Sequence, residues 1–132
     1  MADFAKAIEL TPKDADAYHD RGVVHDSMGE YEKAVEDYTK AIELNPDDAI
    51  AYYDRGLAYS SMGEYGKALA DFTKTIELNP EDAGNYYVRG LTHIALRQKE
   101  EAIRDLHRVL ELTDDSELQQ AAEQQLRRLR EE

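Results

Sequence analysis

The chain has 132 residues and a formal net charge of −13, with 29 acidic and 16 basic side chains. A sequence this acidic argues against non-specific binding to nucleic acid or to anionic membranes, because both need basic patches. There is no cysteine, so a disulfide framework and thiolate chemistry are excluded. No apolar run is long enough to span a bilayer, and the N-terminus does not have the pattern of a signal peptide, which favours a cytoplasmic location.

Certain residue types recur along the chain with a fixed period of 34 residues. The recurring positions hold proline, glycine, arginine and aspartate: Pro12, Pro46 and Pro80; Gly22, Gly56 and Gly90; Arg21, Arg55 and Arg89; Asp3, Asp37, Asp71 and Asp105. A period of this length is typical of a row of similar supersecondary units. Such units bury their apolar faces on one another, and their function usually lies in an extended binding surface.

The period divides the chain into a half unit, three full units and a closing segment, which we predict to form one domain. Their bounds are 1–14, 15–48, 49–82, 83–116 and 117–132. In each full unit apolar residues recur at i, i+3 and i+4 over two stretches, which predicts two amphipathic helices and an all-α fold. Asp14, Asp48 and Asp82 precede the first helices and are predicted N-caps. Gly63 is predicted to end a first helix in the left-handed conformation.

The glycine within each first helix needs a physical reason, because a helical glycine costs about 0.5–1 kcal/mol relative to alanine. Its recurrence at Gly22, Gly56 and Gly90 predicts that two helix backbones approach closely there. Small residues on the second helices are the expected other side of this contact: Ala34, Ala68 and Ala102.

The recurring arginines and aspartates have two interpretations. They could form a ladder of ligand-binding groups, or each arginine could pair with an aspartate on a neighbouring helix. We favour structural pairs, because both series repeat with the fold and a ligand site rarely needs a residue from every unit. The sequence leaves open whether Arg21, Arg55 and Arg89 each reach the aspartate of their own unit or of the preceding one.

The two ends of the chain differ from the full units. Asp3–Asp14 matches Asp71–Asp82 in sequence, so the half unit is predicted to be a second helix without its first helix. We therefore expect an excised or engineered piece of a longer array, with an open apolar end that favours self-association. At the other end, Ser116 and Gln119 form a predicted capping box for a closing helix that covers the last unit.

The sequence offers few residues for catalysis or metal binding. His25 and His93 occupy one repeat position two units apart, and His19 and His107 have no partner at metal-ligand spacing. The acidic turns lack the spacing of a calcium-binding loop. No nucleophile–base arrangement, phosphate-binding loop or CxxC motif is present. We expect no enzyme activity, no metal and no cofactor.

The repeat has a specific pattern of residue types, which in the second unit runs Tyr52, Gly56, Tyr59, Ala68, Phe72, Thr75, Pro80. It resembles the tetratricopeptide repeat (TPR). The resemblance implies antiparallel helix pairs stacked into a right-handed superhelical α-solenoid, with the first helices lining a concave groove. Family members are mostly scaffolds that hold peptides or other proteins. The chain departs from the family at Arg21, Arg55 and Arg89, where leucine is usual, and at Arg97, which replaces a turn glycine.

By this resemblance, twelve positions on the first helices line the groove and bind peptide: His19, Asp20, Val23, Asp26, Tyr53, Asp54, Leu57, Ser60, Tyr87, Val88, Leu91 and Ile94. Their mixture of apolar groups and carboxylates favours an apolar or basic peptide or helix as the partner. The alternative is that these residues only pack between adjacent first helices.

Co-chaperone members of the family hold a terminal carboxylate with cations on this face. The corresponding positions here are His19, Val23, Asp54, Gly84 and Val88, which argues against a chaperone-tail clamp. Two other roles stay open: a structural element that associates with its own copies, and the repeat region of a larger enzyme.

Overall fold

The structure, a computed structural model, describes residues 14–132; the predicted half repeat, including Asp3, lies outside them except for Asp14. Within these residues all regular elements are helices, which confirms the all-α class. Their bounds are α1 (Ala15–Ser27), α2 (Tyr31–Leu44), α3 (Ala49–Ser61), α4 (Tyr65–Leu78), α5 (Ala83–Ala95), α6 (Lys99–Leu112) and α7 (Ser116–Glu131).

Aspartates begin the first helices, as predicted. The Asp14 carboxylate accepts hydrogen bonds from the backbone N–H groups of two residues in the first turn of α1. Asp48 does the same for α3, and Asp82 accepts one such bond at the start of α5. These bonds satisfy backbone donors that the helix itself leaves unpaired.

The predicted capping box of the closing helix is wrong. Asp115 has extended backbone and its carboxylate accepts from the N–H groups of the first turn, so α7 is capped one residue earlier than expected. Ser116 is therefore already helical. The Gln119 side chain instead donates a hydrogen bond of 2.9 Å to the carbonyl oxygen of Thr113.

The turns between the helices of a pair require left-handed backbone. Gly29 and Gly63 both have φ of +77°, a conformation open to glycine at little steric cost. The third turn has Arg97 at the same position with φ of +61°. A residue other than glycine is strained in this conformation, so the turn holds Arg97 at a φ that the residue itself does not favour.

The chain forms two compact units, one ending at Asp71 and the other comprising Phe72–Glu132. In the first unit α1 packs against α2 and α2 against α3. His25 near the end of α1 approaches Glu30 before α2, whereas Arg21 reaches the later Asp37, so the two helices are antiparallel. In the second unit α5 packs against α6 and α6 against α7, over a core of seven buried residues: Ala83, Ala102, Leu106, Val109, Ala122, Leu126 and Leu129.

At Gly22 and Gly90 the nearest atoms belong to large side chains and not to the alanines expected from the sequence. A Cβ atom on Gly22 would lie 2.7 Å from Cε1 of Tyr38, and one on Gly90 would lie 3.4 Å from Cδ2 of Leu106. Both contacts come from the residue four positions after the predicted alanine, Ala34 or Ala102. The second helix thus places a bulky side chain, rather than its backbone, over the glycine.

Candidate functional site

Each recurring arginine pairs with the aspartate of its own repeat. Arg21 donates to Asp37 from Nε at 2.9 Å and from Nη2 at 2.6 Å, so both carboxylate oxygens are engaged. The same two-bond geometry recurs for Arg55 with Asp71 and for Arg89 with Asp105: 2.9 and 2.7 Å in the second repeat, 2.8 and 2.8 Å in the third.

The three aspartates of these pairs are almost fully buried, with 4–5% of their surface exposed. Each arginine also lies over an aromatic ring on its own helix, as Arg21 does at 5.8 Å from the ring centroid of Tyr18. Since the carboxylates and the guanidinium forks already engage each other, these pairs fix the helix hairpin and leave no open anion or cation site.

His25 and His93 stand beside the same pairs. Nε2 of His93 is 3.5 Å from Asp105, and its Nδ1 is 2.6 Å from Oε1 of Gln98. His25 makes the equivalent approaches to Asp37 and to Glu30, at 3.7 and 3.4 Å. Both rings are held by the hairpin turn. Within residues 14–132 no group of three or more histidine, aspartate or glutamate side chains is arranged to hold a metal ion.

The predicted groove residues of the first unit lie on α1 and α3, which the structure places side by side. Nε2 of His19 on α1 is 2.7 Å from Oδ2 of Asp54 on α3. His19 Nδ1 is also 3.7 Å from the exposed carboxylate of Asp20. The hydrogen bond with Asp54 raises the pKa of His19 above its usual value, and partial burial of the ring opposes this effect.

Apolar side chains border this histidine–aspartate contact. Val23 is one helical turn after His19 and Leu57 one turn after Asp54, and they are 43% and 38% exposed. Ile50 was not predicted to belong to this face, yet it is 65% exposed. It precedes Leu57 by seven residues, the spacing of one helix face, which is the signal that could have identified it. We call the α1–α3 face the surface formed by His19, Asp20, Val23, Ile50, Tyr53, Asp54 and Leu57.

Asp26 and Ser60, also predicted for the groove, are half-buried at the ends of α1 and α3. The hydroxyl of Tyr38 donates a hydrogen bond of 3.3 Å to Asp26. Burial raises the pKa of Asp26, and the charge of Asp54 adds to the effect while the hydrogen bond from Tyr38 opposes it. The pKa of the Tyr38 hydroxyl is also raised, mainly because the ring is buried.

The remaining predicted groove residues, Tyr87, Val88, Leu91 and Ile94, lie on α5 of the second unit and are all half-buried. Tyr87 and Ile94 pack against the core of that unit. These two side chains thus have a structural role at least in part, which is the alternative left open by the sequence.

A surface depression of about 660 Å³ lies away from the α1–α3 face, beside the turns that follow α1 and α3. Its lining includes Gly29, Tyr31 and Met62. Two of its charged residues neutralise each other, because Lys33 Nζ is 2.9 Å from Glu30 Oε2. In the part of the chain that the structure describes, no helix has the length and apolar character needed to cross a membrane.

Comparison with known proteins identifies the repeats. Four models of the tetratricopeptide repeat match residues 4–36, 27–63, 49–82 and 83–116, and together they span residues 4–116. The matches to residues 49–82 and 83–116 have the same bounds as the second and third 34-residue repeats. Among curated proteins, none matches the chain significantly.

Several solved structures are similar to the chain. The first TPR domain of Spaghetti (RPAP3), bound to the HSP90 peptide SRMEEVD, is 29% identical, with 89% of this chain and 90% of that one covered and a TM-score of 0.79. MamA is 33% identical over 82% of this chain and 63% of its own, with a TM-score of 0.80. YrrB, described as a TPR protein with an unusual peptide-binding site, is 34% identical over 87% of this chain and 60% of its own, with a TM-score of 0.76.

Proposed function

This chain belongs to the tetratricopeptide repeat family, and we propose that it is a non-catalytic protein-interaction scaffold that binds a peptide or helix, apolar or basic in character, on its first helices. One observation carries the proposal: the α1–α3 face exposes Val23, Ile50 and Leu57 next to the carboxylates of Asp20 and Asp54. Exposed apolar groups that adjoin one another mark binding surfaces more often than chance.

The chemistry of the face favours a ligand with apolar anchors and positive charge. Val23 and Leu57 occupy equivalent positions on neighbouring helices, so an extended peptide or one face of a helix can contact both. Asp20 and Asp54 give this part of the surface a negative potential, which attracts cations and repels carboxylates. The net charge of −13 acts in the same direction over longer distances.

The same groups argue against an acidic ligand of the kind bound to the Spaghetti domain. A terminal carboxylate needs cations, and among the clamp positions of the first unit only His19 can carry a positive charge. Its ring is already 2.7 Å from Asp54. A carboxylate placed here would meet Asp20 and Asp54, so SRMEEVD is expected to bind this chain poorly.

A binding experiment with three peptides tests the proposal. The first is an amphipathic peptide with leucines on one face and arginines on its flanks; the second has glutamate in place of every arginine; the third is SRMEEVD. Fluorescence anisotropy is expected to show the arginine–leucine peptide binding at least about tenfold more tightly than the other two. Equal affinities, or preference for an acidic peptide, would contradict the proposal.

Self-association, the alternative role, depends on residues outside those that the structure describes and stays a prediction. Sedimentation velocity over a range of concentrations tests it. The variant Tyr53→Ala, Tyr87→Ala separates the two roles, because it removes aromatic groups from the first helices without altering residues 1–13. Loss of peptide binding with unchanged self-association is the result expected if both roles exist on different surfaces.

A further inference from the structure

One carboxylate of the α1–α3 face, that of Asp54, is in contact with a histidine. Nε2 of His19 lies 2.7 Å from Oδ2 of Asp54, and this contact joins the two neighbouring helices of the α1–α3 face. The positions equivalent to His19 in the other repeats hold Tyr53 and Tyr87. Asp54 itself corresponds to Asp20 and to an apolar residue, Val88. The histidine–aspartate contact is therefore a feature of these two helices and not part of the repeat frame.

We propose that His19 is an internal cation which an arginine or lysine side chain of the ligand displaces from Asp54, so that binding of the ligand releases the proton of the imidazolium. This inference rests on the proposed function of the same face and adds the residue that sets its selectivity. His19 makes the face select permanently charged cations over neutral hydrogen-bond donors, because only a strong cation replaces the contact that is lost.

Three described helices, α1, α2 and α3, place a carboxylate or an aromatic ring beside His19. Asp20 follows it on α1, with its carboxylate 3.7 Å from Nδ1. Tyr38 on α2 lies with its ring centroid 5.5 Å from that of the imidazole. From the α3 side come Asp54 and the capping residue Asp48, whose negative charges both raise the pKa of His19. Among residues 14–132, no positively charged side chain is one of the groups that shift the pKa of His19.

The exchange can be followed group by group. Where His19 is protonated, its Nε2–H donates to the carboxylate of Asp54 in the free protein. A ligand guanidinium donates to the same carboxylate in the two-bond geometry that Arg21 shows with Asp37. The imidazolium then loses its partner and gains a nearby positive charge, and both changes lower its pKa. The proton leaves to solvent, so the ligand binds more tightly where His19 is already neutral.

The test uses the arginine–leucine peptide and the same peptide with citrulline, which keeps the shape and most N–H groups of arginine without its charge. Affinity of the arginine peptide is expected to rise about three- to tenfold between about pH 5.5 and pH 8, because binding lowers the pKa of His19. Calorimetry in two buffers of different ionisation enthalpy is expected to show release of a fraction of one proton on binding.

Three variants locate the effect. His19→Gln keeps a neutral donor to Asp54 and is expected to abolish both the pH dependence and the proton release. His107→Gln makes the same substitution at an exposed histidine of the second unit and is expected to preserve both. Asp26→Asn removes a carboxyl group on α1 whose pKa is also raised, and the pH dependence should persist in it.

The outcomes separate this inference from the proposed function. If the arginine peptide binds equally well at both pH values and releases no proton, His19 does not compete for Asp54, although the face still binds. If His107→Gln or Asp26→Asn removes the pH dependence, or if citrulline shows the same dependence as arginine, the assignment to His19 is wrong. If no basic peptide binds at any pH, the proposed function fails first and the inference fails with it.

Discussion

The first and third repeats share their arginine–aspartate pair, which we call the frame, but differ in the side chain that covers the helical glycine, which we call the filling. In both, an arginine of the first helix donates two hydrogen bonds to a buried aspartate sixteen residues later. A histidine approaches the same aspartate in both. The side chain that covers the helical glycine differs: Tyr38 lies over Gly22, whereas Leu106 lies over Gly90.

The difference between these repeats extends to the surface. The Tyr38 hydroxyl reaches Asp26 at the end of α1, so a polar group at the core has a carboxylate partner at its rim. In the third repeat Leu106 has no such group, and Ile94 takes the place of Asp26. The arginine–aspartate pair is thus the same whichever side chain covers the glycine. The core residue, Tyr38 or Leu106, and the surface residue, Asp26 or Ile94, differ together between the two repeats. This pattern allows one repeat to carry a charged face and another an apolar one.

Breaking the frame is expected to have the largest effect, and the same effect in both repeats. Arg89→Met leaves Asp105, whose side chain is 7% exposed, without its guanidinium and should cost about 2–4 kcal/mol. Arg21→Met should cost a similar amount through Asp37. Urea denaturation measures both. The double variant Arg89→Met, Asp105→Leu should be less destabilised than Arg89→Met alone, and the opposite order would show that the buried charge is not the cause.

Changing the filling is expected to separate the two repeats. Gly22→Ala places a Cβ atom 2.7 Å from the Tyr38 ring, which must move, and we expect a loss of about 1–3 kcal/mol. Gly90→Ala meets Leu106 at an ordinary 3.4 Å and gains helix propensity, so it should be neutral or stabilising by up to about 1 kcal/mol. Thermal unfolding monitored by circular dichroism gives both values. Equal melting temperatures for the two variants would show that the glycine contacts are alike.

Exchanging the turn residues tests a smaller difference. Arg97→Gly relieves a side chain held at φ of +61° and is expected to stabilise the chain by about 0.5–1 kcal/mol. Gly29→Arg introduces the same strain at φ of +77°, where nothing lies within 4 Å of a Cβ atom, and should cost a similar amount. If both changes shift the melting temperature in the same direction, the shifts come from contacts of the arginine side chain and not from backbone strain.

The smallest expected effect depends on pH and is confined to the first repeat. The pKa of His19 is raised on folding. The contribution of His19 to the free energy of unfolding is therefore complete below its unfolded pKa of about 6.5 and is lost as the pH rises through its folded pKa. His19→Gln should therefore cost about 0.5–1 kcal/mol at about pH 5.5 and little at about pH 8. His107→Gln is the matched control and should show no such dependence. A larger loss at alkaline pH would contradict the assignment.

The sequence was sufficient for the helices, the aspartate caps of the first helices and the repeat period. These features depend on local preferences, and copies of the same pattern support one another. The side chain nearest to Gly22 is Tyr38 and not the expected Ala34. The sequence could not decide between them, because both lie on the core side of α2 and both are buried. The Asp115 cap was missed because Ser116 and Gln119 also fit a capping pattern.

The α1–α3 face shows the same limit. The seven-residue spacing places Ile50 on the same side of α3 as Leu57, but how exposed Ile50 is depends on the packing around α3, which the spacing does not predict. The contact between His19 and Asp54 joins residues of two different repeats. The repeat pattern does not predict it, because the other repeats do not have a histidine and an aspartate at these positions.

The most direct test of binding on the α1–α3 face is the affinity of the arginine–leucine peptide for two variants. Val23→Ser with Leu57→Ser removes the exposed apolar groups of the face, whereas Met28→Ser removes a side chain that is 55% exposed at the end of α1, outside the face. We expect the first variant to lose about tenfold or more in affinity and the second less than about twofold. Equal affinities of both variants and the unmodified chain would show that the peptide binds elsewhere.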